Sequence, residues 1–66
     1  MKIIAKIAIA SHLSDAQELL AIGHYTLANR EINYAKAILF KYPDTNKEVN
    51  QEELNTICHE VNEKFK

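Results

Sequence analysis

Sixty-six residues carry eight Lys or Arg against nine Asp or Glu, a net charge of −1, and 47% of them are apolar. A chain this short has room for one core and buries only about 60% of its unfolded surface, so it is marginal without a staple or a partner. The single cysteine, Cys58, excludes an internal disulfide, and no run reaches the roughly 20 apolar residues of a bilayer-spanning helix.

Lys2 and the apolar run that ends in Ala8-Ile9-Ala10-Ser11 have the outline of a secretion signal, but Lys6 interrupts the run. We therefore expect an intracellular, cytoplasmic protein with no membrane segment. Gly23 and Pro43, the one glycine and the one proline, divide the chain into segments 2–22, 24–42 and 44–66. Both residue types weaken helix interiors, so each segment reads as one helix.

The first segment has two readings. Ile3, Ala5, Ile7 and Ile9 alternate as on a strand, while Ala5, Ile9, Leu13, Ala16 and Leu20 form a helical stripe. Nothing else in the chain reads as β, and a lone strand leaves its backbone groups unpaired, so the helix is preferred. A strand at 2–10 would have to pair with another molecule. Ser14 and Gln17 have capping-box spacing, which favours a helix start there.

The middle segment is plainer. From Thr26, a candidate N-cap, the residues Ala28, Ile32, Ala35, Leu39 and Tyr42 recur at helical spacing, and Leu27, Tyr34 and Ile38 widen the stripe. Pro43 disfavours helix at Tyr42 and ends the segment there. In the last segment Asn50 and Glu53 have capping-box spacing, and Val49 and Leu54 stand at hydrophobic-staple positions. Leu54, Ile57, Cys58, Val61 and Phe65 make one narrow apolar edge, leaving Gln51, Glu52, Asn55, His59, Asn62 and Glu63 to water. The expected fold is all-α, a helical hairpin over about 3–42 crossed by a third helix at about 51–64. The alternative is an N-terminal strand paired between chains and followed by helices.

No motif carries chemistry. Gly23, Tyr25, Ala28, Ile32 and Ala35 resemble the close-packing positions of a tetratricopeptide repeat, but there is no second copy and Pro43 comes a turn late. Generic hairpin packing accounts for them. Asp44, Asn46, Glu48, Asn50 and Glu52 alternate like calcium-loop ligands, yet Val49 and Asn55 stand where that loop needs Gly and Glu. His12, His24, Cys58 and His59 lack zinc-site spacing. A Cys58–His59 pair fails because adjacent helical residues diverge, so a nucleophilic pair requires His12 or His24 to cross the fold. We expect no enzyme, metal, cofactor or small-molecule substrate.

Apolar content is uneven. Residues 1–42 hold 25 apolar side chains and a net +2, whereas 43–66 hold 6 and a net −3. One narrow closing helix is a thin cover for such a hairpin, and uncovered apolar patches commonly mark partner surfaces. The expected function is a small interaction or structural module that self-associates or docks on a protein partner through Ile3, Ile4, Ile7, Ile38 and Phe40. An accessory subunit of a multiprotein, viral or phage particle would suit such a chain. The alternative is a small nucleic-acid-binding regulator, of helix-turn-helix or ribbon-helix-helix type, using Arg30, Asn33, Lys36 and Lys41. Net acidity weighs against it, because duplex binding needs several phosphate-neutralising cations.

Overall fold

A computed structural model describes residues 2–64. Among them the order is β1 (Lys2–Ile4), α1 (Ala5–Ala21), α2 (Tyr25–Lys41), β2 (Glu48–Asn50) and α3 (Gln51–Lys64). The fold is the expected small helical bundle, with a two-stranded antiparallel sheet added at its N-terminus. No helix of these residues is long and apolar enough to cross a membrane.

The N-terminal segment is strand and helix in succession. Lys2, Ile3 and Ile4 pair with Asn50, Val49 and Glu48. The strand thus finds its partner within the chain, in a stretch whose only apolar residue, Val49, was too little to read as β. Helix α1 then starts at Ala5, nine residues before Ser14, which lies inside it. Ile4 stands at the N-cap position and supplies no side-chain hydrogen bond. Instead the Ala5 and Lys6 amides donate to the carbonyls of Lys47 and Thr45, at 2.9 and 2.8 Å. A distant turn satisfies the donors that a helix start leaves open. That turn is held by the Asn46 amide on the Asp44 carboxylate (3.1 Å) and the Lys47 amide on the Asp44 carbonyl (3.1 Å).

Gly23 ends α1 as a left-handed residue at φ 83°. The His24 amide reaches the Leu19 carbonyl (2.9 Å) and the Gly23 amide reaches Leu20 (3.1 Å), the paired bonds of a Schellman motif. Helix α2 follows at Tyr25, one residue before Thr26, and His24 at its N-cap position makes no side-chain cap. Tyr42 leaves the helix at φ −125° and ψ 75°, as the residue before proline should.

Asn50 caps α3 as expected, its side-chain oxygen accepting the Glu52 amide at 2.9 Å. Glu53 does not complete the box; its carboxylate accepts the Tyr42 hydroxyl instead, at 2.5 Å. Val49 and Leu54 are both buried in the central cluster with Ala5, Ala8, Ile38, Tyr42 and Ile57. Leu54, Ile57 and Val61 form the buried edge of α3 and Cys58 is half-buried beside them; Phe65 lies outside the described residues.

Candidate functional site

The five apolar residues expected to form one surface do not do so. Ile38 is fully buried, the largest side chain closed off from solvent, and belongs to the core. Ile3 and Ile4 are half-buried in β1, Ile3 packing against the central cluster. Ile7 (51% exposed) and Phe40 (89% exposed) do face outward, on different helices. The periodicity of α2 puts Ile38 in the apolar stripe, and the structure buries it there, with Ala5 and Ala8 of α1 and Leu54 and Ile57 of α3; the surplus of apolar residues misassigned it to the surface.

The open surface is made by residues that the pattern assigns to the core. Helix α3 meets the hairpin on one side, where Cys58 lies 4.0 Å from His12, the Tyr34 hydroxyl donates to Asn62 (2.6 Å) and Tyr42 bonds Glu53. Each successive helical residue turns by about 100°. That step turns the residue after such a contact away from α3. Leu13 follows His12, Leu20 follows Leu19 and Leu39 follows Ile38. Leu13 and Leu20 are 47% exposed, Leu39 is 48% and Tyr25, near the hairpin loop, is 69%. Leu13 and Leu20, seven residues apart, share one stripe of α1, and Tyr25 and Leu39, fourteen apart, share one of α2. A third helix that could lie on only one side of the hairpin is the signal in the sequence, and it was legible as a shortage of cover though not as these positions.

Arg30, Lys36 and Lys41 are exposed and Asn33 is half-buried. Lys36 and Lys41 flank Phe40 in a groove of about 870 Å³ between α2 and α3, whose described lining also includes Glu60, Glu63 and Lys64. Charges of both signs share that groove.

A second constellation is assembled by the tertiary fold. His12 of α1 places Nδ1 2.9 Å from the Glu31 carboxylate of α2 and Nε2 4.0 Å from the Cys58 sulfur of α3. The ring of Tyr34 meets the imidazole edge-on, with centroids 5.2 Å apart. A carboxylate only accepts, so Nδ1 carries a proton and donates it to Glu31, which turns Nε2 toward the thiol. His12 thus makes the crossing that the sequence left as a condition, while His59 stays exposed and lines the groove between α2 and α3. Cys58 and His12 border a cleft of about 260 Å³ with Ala8, Ser11, Leu54 and Asn55. Burial, and secondarily the charge of Glu31, pushes the Cys58 thiol above its ordinary range. Reactive cysteines need the reverse, a lowered pKa and a thiolate.

Compared with protein-family models, with curated proteins and with solved structures, the chain matches none.

Proposed function

We propose that this chain is a non-enzymatic interaction module that pairs with a second copy of itself through the open face of the α1–α2 hairpin. The observation that carries the reading is the exposure of Leu13, Leu20, Leu39 and Tyr25 along the two helices of the hairpin. Such a face on so small a chain leaves apolar area in water that association would remove. A second copy is the matched occupant. Both helices of the hairpin are 17 residues long, so two hairpins laid face to face about a two-fold axis cover each other along their length as a four-helix layer.

The raised thiol pKa of Cys58, the reverse of what a reactive cysteine needs, supports the non-enzymatic part of the reading. The nucleic-acid alternative has no comparable support, because Lys36 and Lys41 share their groove with Glu60 and Glu63.

Sedimentation equilibrium tests the proposal. The wild-type chain should dimerise at micromolar concentration, and Leu13→Glu or Leu39→Glu should yield a folded monomer, since both positions are half open to solvent. Phe40→Ser, off the proposed face, should leave the dimer intact. A wild-type chain that stays monomeric at high micromolar concentration sinks the reading.

A further inference from the structure

We infer that His12, Asp15 and Glu31 form a binding site for a divalent transition-metal ion, with zinc the natural test ion. This goes beyond the interaction reading and uses a different edge of the hairpin, since Asp15 lies about 160° round α1 from Leu13. The His12 ring nitrogen and one carboxylate oxygen each from Asp15 and Glu31 all lie within 4.8 Å of one another. Zinc bonds to nitrogen and carboxylate oxygen are about 2.0–2.2 Å long, so ligand atoms around one ion stand somewhat closer than this. Asp15 is exposed and makes no hydrogen bond or ion pair to another described residue, so its side chain is free to close the remaining distance.

Charge points the same way. Two carboxylates converge here beside one imidazole nitrogen. Their mutual repulsion is relieved by an ion of charge +2, and the site is then neutral. One imidazole and two carboxylates are a nitrogen–oxygen set that suits zinc and its neighbours better than magnesium or calcium, which prefer all-oxygen cages. Three protein ligands leave a position open for water.

Binding also explains what Cys58 would do. Metal at Nδ1 moves the single imidazole proton to Nε2, which then donates toward the Cys58 sulfur 4.0 Å away. Metal-bound histidines commonly donate their second N–H in this manner, which orients the ring. Cys58 is therefore an orienting neighbour and its sulfur is not a ligand. Tyr34, edge-on to the same ring, restrains it further.

Isothermal titration with zinc on the full chain is the test, read beside thermal unfolding with and without the ion. One zinc should bind per chain and raise Tm, as any ligand selective for the folded state does. Asp15→Asn, at an exposed position with no described partner, should keep the metal-free Tm and weaken binding by at least about tenfold. That floor is what loss of an outer-shell partner alone usually costs. Glu31→Gln should do the same wherever circular dichroism shows it folded. Cys58→Ser and Leu13→Glu should still bind. Asp15→Asn binding as tightly as wild type overturns the inference, as does equal affinity for magnesium. Loss of binding in Cys58→Ser also overturns it, since the ligand set would then include sulfur.

Discussion

Tyr42 is where three separate constraints meet in one residue. Pro43 forces it out of the helix, its amide still reaches the Ile38 carbonyl (2.9 Å), and its ring is buried in the central cluster. Burying a phenol leaves its hydroxyl in need of a partner, and Glu53 at the start of α3 provides one at 2.5 Å. The hydrogen bond to Glu53, then burial, then the Glu53 charge hold the Tyr42 pKa above its ordinary value. The folded state therefore keeps this proton more tightly than the unfolded chain does. The resulting stability is complete below the unfolded value, about pH 10, and is lost as pH rises through the folded value. Tyr42→Phe should cost about 1 kcal/mol near neutrality, because exposed Glu53 recovers water in exchange. Urea midpoints for the two proteins, taken from about pH 8 to pH 11, should keep a constant gap at first and converge at the alkaline end. A gap that stays open throughout would mean the hydroxyl contributes nothing through its proton.

At the level of elements, the two ends of the molecule are tied by backbone groups. The carbonyls of Thr45 and Lys47 stand in for the missing N-cap of α1, and β1 pairs with β2 just before α3 begins. Asn50 sits at the junction, in register with Lys2 and capping α3 through its side chain. Asn50→Ala should cost about 1 kcal/mol, the usual loss for an N-cap. Hydrogen exchange at the Glu52 amide, which loses its acceptor, should quicken more than exchange at amides within α2. Equal quickening in both helices would indicate global destabilisation and no local cap. β2 was not foreseen, and Ser14 suggested a helix start that lies instead at Ala5, for one reason. Three-residue strands and borrowed carbonyls carry no periodicity, because periodicity reports burial of side chains and these contacts are made by main chain.

At the scale of the whole molecule, the balance between core and surface decides behaviour. Five of the buried apolar residues are alanines in α1 and α2: Ala5, Ala8, Ala16, Ala28 and Ala35. Small side chains let helices approach closely but remove little apolar area from water each. Much of the larger apolar material, from Leu13 to Phe40, stays 42% to 89% exposed. If the hairpin face is closed by a second copy, folding and association are linked by mass action. The Tm of the wild-type chain should then climb with protein concentration across the micromolar range, while that of Leu13→Glu should not move. Calorimetry at a series of concentrations reads this directly, and a wild-type Tm independent of concentration would separate folding from assembly.

What the amino-acid order determined alone was the helical framework. Breakers at Gly23 and Pro43, with apolar spacing between them, bound the two long helices to within a few residues, and Asn50 announced the third. Such signals are local, carried by backbone preference and by residues within a turn of each other. Tertiary structure alone decided which side of the hairpin α3 would occupy. That choice buried Ile38, left Leu13, Leu20 and Leu39 half open, and brought His12, Glu31 and Cys58 together from three different helices. A repeat pattern marks a stripe as apolar but does not say which half of it a third helix will cover, because coverage depends on packing between segments far apart in the chain.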